Sequence, residues 1–241
     1  LPGKEERIVY SAASGRQQKL YTASALKLKE ALAGGAWSGN GKLEVLSQLM
    51  RLRQICCDPA LCFEDYTGES AKLETCVSLI ASASAAGHKI LLFSQFASML
   101  ERIRERLLQE GISSHLLVGA TPKEERSRMV QAFASDEVPV FLISLKAGGT
   151  GLNLTAADIV IHYDPWWNVA AQNQATDRAY RIGQEKPVTV YKLILKDTIE
   201  ENLLKLQNAK LALAAQVVSE GMVSLGDLSQ NELMELFEQN P

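Results

Sequence analysis

Short apolar runs separated by segments of helical period set the pattern of this chain. KILLF (89–93), SHLLV (114–118), PVFLIS (139–144), DIVIHY (158–163) and VTVYKLIL (188–195) read as strands. Runs that stay apolar instead of alternating belong to strands buried on both faces, the signature of a parallel sheet covered by helices. Between them the spacing predicts helices over 71–85, with Leu73, Val77 and Ile80 on one face, and over 97–109, 122–134 and 168–181.

The flanks read differently. KEERIVY (4–10) is a short strand, and 16–33 carries Tyr21, Ala25, Leu28 and Leu32 at helical spacing. Gly34-Gly35 and Ser38-Gly39-Asn40-Gly41 punctuate the chain before a helix over about 42–56, which Asp58-Pro59 ends. Two helices joined by a glycine-rich loop ahead of the strand repeat predict a helical protrusion. After the last strand, a helix over 199–218 places Ile199, Leu203, Leu206, Leu213 and Val217 on one stripe, and a short acidic helix near 230–238 closes the chain. Helix starts are marked by Thr121-Pro122-Lys123-Glu124, Asp197-x-x-Glu200 and Ser229-x-x-Glu232, each a capping-box pattern. The expected division is 1–68 for an opening segment and helical protrusion, 69–197 for a doubly wound α/β core with helices on both faces, and 198–241 for a bracing helix and an acidic C-terminal helix.

Composition narrows the picture only slightly. Hydrophobic residues make up 46% of the 241 and aromatics 6%, so the core is filled by aliphatic side chains. No run approaches the roughly 20 apolar residues a membrane span needs, so no membrane partner is expected. The chain opens on the charged stretch Leu1-Pro2-Gly3-Lys4-Glu5-Glu6, without the apolar core of a signal peptide or an initiator Met. That is the pattern expected of a segment of a longer intracellular protein. Cys56, Cys57, Cys62 and Cys76 lack paired Cys-x-x-Cys spacing, and His88, His115 and His162 stand at no ligand spacing from them. Reduced buried thiols are expected, and no metal site. The net charge of −3 argues against a globally basic field. Setting aside the acids of 220–241 (Glu220, Asp227, Glu232, Glu235, Glu238) leaves 25 basic against 23 acidic residues, which allows a local nucleic-acid face.

Candidate chemistry concentrates in 142–184. LISLKAGGTGLNL (142–154) begins at a strand's C-terminal end, where ligands bind in open α/β sheets. Its glycines let backbone amides approach a ligand, but glycine content alone leaves a plain tight turn and a phosphate cradle equally open. The loop is not a Walker A loop, since no Gly-Lys-Ser/Thr follows. Strand 158–163 then ends in Asp164-Pro165-Trp166-Trp167-Asn168, where the rings could be core or contact. On the next helix, 100° per residue stacks Gln174, Arg178 and Arg181 on one stripe beside an apolar stripe of Ala171, Ala175, Ala179 and Ile182. Two guanidiniums one turn apart suit bracing of a transferring phosphoryl group, though a solvated basic face has the same pattern.

The run LKAGGTGLNLTAAD, DPWWN and QATDRAYRIGQ resembles motifs V and VI of the Swi/Snf-type helicase-like ATPases of superfamily two. RLRQIC with Asp58-Pro59, SAKLE (70–74), KILLFSQF (89–96), LVGATPKEER (117–126) and TIEENLLKLQNAK (198–210) extend the resemblance over nearly the whole chain. It implies a RecA-like second motor lobe of a double-stranded-DNA translocating ATPase. On that basis Arg178 and Arg181 are similar to arginine fingers, with Gln174 organising them, and Gly149, Gly151, Asn153 and Asp177 fall at the nucleotide side. Ser94, Gln95, Thr121, Lys146 and Thr150 resemble contacts to the DNA backbone, and Trp166 and Trp167 resemble the motif linking nucleotide state to DNA engagement. Tyr180 stands where the family commonly has His, Val169 where it has Pro, and Asp58 where it has His; none of these removes a charged catalytic group.

No GxxxxGK[ST] loop occurs, and Asp136-Glu137 precedes a strand where a magnesium box follows one. ATP and Mg²⁺ are therefore expected to be held mainly by an N-terminal RecA-like lobe of the same polypeptide, and this segment alone to be inactive. Expected partners are double-stranded DNA, that lobe and a DNA-bound protein complex, in the cytoplasm or nucleoid of a prokaryote or the nucleus of a eukaryote. Compact motif spacing suggests a bacterial or archaeal source. Two alternatives stand beside this reading: a non-catalytic nucleic-acid or protein-binding module, and a strand-separating helicase lobe.

Overall fold

The computed structural model describes residues 2–13, 15–35, 37, 39, 41–147, 151–214 and 229–238. They pack as two compact units. One comprises Leu1–Val9, Leu73–Trp166 and Ala170–Leu193; the other comprises Tyr10–Lys72, Trp167–Val169 and Ile194–Pro241.

The six strands are β1 (Lys4–Ser11), β2 (Ile90–Ser94), β3 (Ser114–Leu117), β4 (Val140–Ser144), β5 (Ile159–His162) and β6 (Val188–Leu195). They form one all-parallel sheet in the order β1-β6-β5-β2-β4-β3. Every residue of β2, β4 and β5 is buried, which is why their sequences do not alternate. The registers Phe93↔Ile143, Phe93↔His162 and Leu117↔Ile143 bring the C-terminal ends of β2, β3, β4 and β5 to one edge. β4 and β5, consecutive in sequence, flank β2 on opposite sides, the kind of switch in strand order where open α/β sheets place their ligands.

In the first unit the helices are α3 (Ala71–Ala85, from Leu73 onward), α4 (Ala97–Gln109), α5 (Lys123–Ser135) and α6 (Val169–Thr176, from Ala170 onward). α4 buries Met99, Leu100, Ile103 and Leu107, one helical stripe. It ends at Gly111, whose φ of +72° lets the N–H of Ile112 reach back to the Leu107 carbonyl at 2.9 Å. Phe93, Phe133, Phe141 and Val160 centre the core, with the Phe133 and Phe141 rings 5.3 Å apart. Near the opposite edge, Lys89 Nζ donates to the carbonyls of Phe133 and Asp136, and His115 pairs with Asp136 at 2.7 Å. Asp136 therefore serves a structural network, and His115 holds its carboxyl below the usual range against the opposing effect of burial.

The second unit packs α1 (Gly15–Ala33), α2 (Gly41–Cys57), α7 (Ile199–Ala214) and α8 (Gln230–Glu238) around Leu28, Leu32, Leu49, Leu52, Ile199 and Leu233. Buried polar side chains tie its remote segments. Gln17 donates to the Ile55 carbonyl and accepts from the Ala71 N–H, both at 3.1 Å. Lys72 and Glu200, 0% and 1% exposed, pair at 2.7 Å, and Glu200 also accepts the Leu195 N–H at 2.8 Å.

Two caps differ from the sequence reading. Thr121 does not cap α5: its Oγ1 accepts the Val118 N–H at 3.1 Å, and α5 starts after Pro122 without a side-chain cap. Before α7 the frame moves by one residue. Thr198 Oγ1 accepts the Glu200 N–H, and Glu201, not Glu200, accepts the Asp197 N–H, because Glu200 is engaged by Lys72. The Ser229–Glu232 box forms as expected, with Ser229 N–H to Glu232 at 2.8 Å and Glu232 N–H to Ser229 Oγ at 3.2 Å. The part of the expected 199–218 helix beyond Ala214, with Val217, lies outside the described residues, as do Glu220, Asp227 and the side chain of Leu213. The cysteines are free thiols, Cys56, Cys57 and Cys76 buried and Cys62 half-buried. No helix among the described residues is long and apolar enough to cross a membrane.

Candidate functional site

The C-terminal edge of the sheet collects side chains from four strand ends, all within the first unit. At β2, Ser94 is fully buried and its Oγ donates to Asp164 Oδ1 at 2.5 Å. Gln95 donates to Asp164 Oδ2 through its side-chain amide at 2.8 Å and its main-chain N–H at 3.4 Å. Asp164, 1% exposed at the end of the β5 run, is thus satisfied by β2. Ser94, expected at a DNA phosphate, is placed here with its hydroxyl on that carboxylate and accepting the Phe96 N–H at 3.1 Å. Gln95 remains half-buried at the edge.

A second group joins the loops after β3 and β4. Arg126, on α5, donates to the carbonyls of Thr121 and Gly119 at 2.8 Å and reaches Ala147 at 3.4 Å. One planar cation thereby fixes the turn after β3 and touches the start of the glycine loop. Thr121, Lys123, Arg126, Ser127, Gly151 and Leu152 line a cavity of about 500 Å³. Thr121 and Gly151, read separately from the sequence, are brought together there. Lys146 and Asn153 are exposed beside it in sequence, and Gly149 and Thr150 lie outside the described residues.

The third group departs most from expectation. The helix predicted over 168–181 stops at Thr176, so Arg178 and Arg181 stand on turns and not on a rigid helix. The backbone tightens at the stop: the N–H groups of Arg178 and Ala179 donate to the carbonyls of Ala175 and Thr176, three residues back, at 3.2 and 3.1 Å. Beyond it, the Arg178 carbonyl accepts the Leu154 N–H from the glycine loop at 3.0 Å, and the Ala179 carbonyl accepts the buried Gln184 side-chain amide at 3.0 Å, so neither serves a continuing helix. Of the expected apolar stripe, Ala175 and Ala179 are buried, but Ile182 is 91% exposed, because the stripe ends with the helix.

Electrostatics follow burial. Arg178 is 8% exposed, and its Nε is buried without a hydrogen-bond partner among the described residues. Burial, then repulsion from Arg181, lowers its pKa, while Asp177 opposes the shift. Arg181, Gln174 and Asp177 are exposed. A buried cation with an unspent donor, beside a second exposed one, is suited to receive an anion. Among the described residues no cluster of three or more His, Cys, Asp or Glu forms that could hold a metal.

The tandem tryptophans do not present a common face. Trp166 is 7% exposed in the core of the first unit, and its main-chain N–H donates to the buried Gln172 at 3.2 Å. Trp167 is half-buried in the second unit, its ring 5.6 Å from the guanidinium of buried Arg53. His162, fully buried, bonds Thr176 Oγ1 at 2.9 Å and stacks on Phe93 with ring centroids 5.8 Å apart. Burial pulls its pKa down to about 3, so it is neutral at physiological pH. Sequence reading missed His162, Asp164, Arg126 and Gln184 as organisers of the site. Only Asp164, directly before Pro165 at a strand end, offered a local signal.

Comparison with known proteins gives the site its context. The helicase conserved C-terminal domain profile matches residues 71–183. The SWI2/SNF2 ATPase C-terminal domain of Sulfolobus solfataricus is 31% identical with a TM-score of 0.79, over 99% of this chain and 100% of that one. The SWI2/SNF2 ATPase core of the same organism, solved in complex with dsDNA, is 34% identical with a TM-score of 0.82, over 99% of this chain and 51% of that one. An uncharacterized ATP-dependent helicase of Mycoplasma genitalium is 38% identical over 247 residues, covering 99% of this chain and 23% of the relative. The chain thus spans less than a quarter of the length of these curated relatives, 22% of a Bacillus subtilis relative and 23% of the Mycoplasma genitalium helicase.

Proposed function

The chain belongs to the SWI2/SNF2 ATPase C-terminal domain family, and from that premise we propose that it is the second motor lobe of an ATP-driven translocase on double-stranded DNA. One observation carries the reading. Arg178, with its buried and unspent Nε, is held by its own carbonyl to the glycine loop that follows β4. Guanidiniums so placed brace the oxygens of a transferring phosphoryl group. The residues present fit one side of a triphosphate only, since the chain has no phosphate-loop motif to grip it. Mg·ATP, bound mainly by an N-terminal lobe, would supply the phosphoanhydride that is cleaved.

The roles divide by position. Arg178 and Arg181 reach toward the γ-phosphoryl group, with Gln174 and Asp177 beside them. Gly151 and Asn153 would form the strip between nucleotide and duplex, and Lys146, Gln95 and Thr121 would meet the DNA backbone, with the cavity of about 500 Å³ beside Thr121 as its concave seat. Gly149 and Thr150, outside the described residues, are assigned to the same two groups by resemblance alone. The solved ATPase core in complex with dsDNA supports a duplex partner. Ser94 and Trp166, both buried, would act by shaping this edge. Closure of the two lobes would order Arg178 and Arg181, and hydrolysis would release them.

Replacing Arg178 by Ala in the full-length protein is expected to lower DNA-stimulated ATP turnover by about 10³-fold or more. Turnover at the wild-type rate would overturn the assignment. A forked-duplex displacement assay separates translocation from strand separation, with no displacement expected.

A further inference from the structure

An isoleucine held out in solvent at a fixed point of the surface identifies a contact that the two arginines do not make. Ile182 is 91% exposed, against 74% for Leu43 and 71% for Leu108. Single exposed aliphatic residues on helix faces such as those are ordinary. Ile182 differs in how it is presented. Gly183, at a φ of +103°, takes a conformation that side-chain-bearing residues rarely adopt, and the Gln184 N–H closes the turn on the Arg181 carbonyl at 3.0 Å. Gln184, 7% exposed, donates to the carbonyls of Thr155, Ala157 and Ala179 at 3.1, 2.8 and 3.0 Å and accepts the Lys186 N–H at 2.9 Å. The apex is therefore braced from beneath by a buried amide, while the Leu154 N–H fixes the Arg178 carbonyl on its approach. An apolar group held rigidly in water has already lost the freedom that binding would otherwise remove.

We infer that Ile182 is a docking knob. It seats in an apolar notch on the N-terminal lobe of the same polypeptide, next to the triphosphate, and fixes how deeply the neighbouring guanidiniums enter the cleft. The inference rests on the motor-lobe reading. The occupant follows from two facts. The exposed Arg181, whose guanidinium has no hydrogen-bond or ion-pair partner among the described residues, adjoins Ile182, so a surface that receives both offers an anion beside an apolar patch. This chain covers 51% of the solved SWI2/SNF2 ATPase core it resembles, and the motor-lobe reading assigns the remaining half to an N-terminal lobe of the same polypeptide. Ile182 is thus a positioning residue: it sets the registration of the lobes and leaves the chemistry to Arg178 and Arg181.

The test uses the full-length protein with Ile182→Ser, Ile182→Val and Arg178→Ala side by side. Ile182→Ser is expected to lower the kcat of DNA-stimulated ATP hydrolysis about tenfold, a barrier change of about 1.4 kcal/mol. It should leave the melting temperature and nucleotide-free DNA affinity unchanged, because the side chain touches almost nothing in the isolated lobe. Ile182→Val, which keeps a branched apolar knob, should retain most of the rate. Wild-type turnover in Ile182→Ser together with loss in Arg178→Ala would overturn the docking contact and leave the motor reading intact. Wild-type turnover in Arg178→Ala would remove the motor reading itself, and this inference with it. Weakened nucleotide-free DNA binding by Ile182→Ser would assign the side chain to the duplex and also overturn the proposal.

Discussion

The two compact units solve the same packing problem in opposite ways. In the first, β2, β4 and β5 are buried at every position, and their backbone groups are satisfied within the sheet. Most of its polar side chains can therefore gather at the edges, where Asp164, Gln95 and Arg126 organise the candidate site. In the second, helices from distant parts of the chain meet at their ends, and helix ends leave backbone donors and acceptors without partners. Buried polar side chains fill that gap: Gln17 bridges Ile55 and Ala71, Tyr21 accepts the Ile199 N–H at 2.7 Å, and Asn202 donates to the Leu236 carbonyl at 2.6 Å. A sheet frees polar side chains for chemistry, whereas a helical assembly of remote segments consumes them in construction.

Breaking the buried Lys72–Glu200 pair challenges this contrast most strongly. Lys72→Met leaves a buried carboxylate uncompensated and is expected to destabilise the chain by about 3–5 kcal/mol in denaturant unfolding. The accelerated hydrogen exchange should fall on α1, α2 and α7. The double variant Lys72→Met with Glu200→Gln, which keeps an acceptor for the Leu195 N–H, should regain part of the loss. Fast exchange confined to β2, β4 and β5 would contradict the division of labour.

The exception inside the sheet sharpens it next. His162 is a buried titratable group in the apolar unit, with Lys192 disfavouring its charge and Glu6 favouring it. Above about pH 6.5 neither the folded nor the unfolded state holds the proton, so its titration contributes nothing to stability there. Between about 6.5 and about 3 only the unfolded state binds it, so stability should fall with acid, by at most about 1.4 kcal/mol per pH unit. His162→Asn should flatten that part of the profile in unfolding measured from pH 7 to 4. An unchanged slope would show that His162 takes up its proton in the folded state.

The smallest effect belongs to a cap. Ser229→Ala removes the hydroxyl's bonds to Glu232, leaving the main-chain N–H bond, and should lower the unfolding free energy by about 1 kcal/mol through α8 alone.

Legibility in the sequence followed the range of the forces involved. Strands, their parallel pairing and most helix bounds were readable because hydrophobic period is a local property: α3 was expected over 71–85 and α4 over 97–109, and both occur there. The Ser229 box was readable for the same reason, since all its partners lie within four residues. The capping frame before α7 was not, because Glu200 is engaged by Lys72, far away in the chain. At the site, Arg178, Arg181 and the glycine loop were visible as motifs, yet Ser94 and Trp166 proved buried, and Arg126 and Gln184 gave no sign of the loops they hold.

By itself the sequence determined an aliphatic α/β core and the residues available for chemistry at one end of it, since period and residue type are written locally. Only the tertiary structure decided that α6 stops at Thr176, that Ile182 stands in solvent, and that Trp166 and Trp167 enter different cores. The physical reason is that such outcomes rest on how separate segments pack, as where the Leu154 N–H meets the Arg178 carbonyl and the two tryptophans join different clusters, and local period does not record packing.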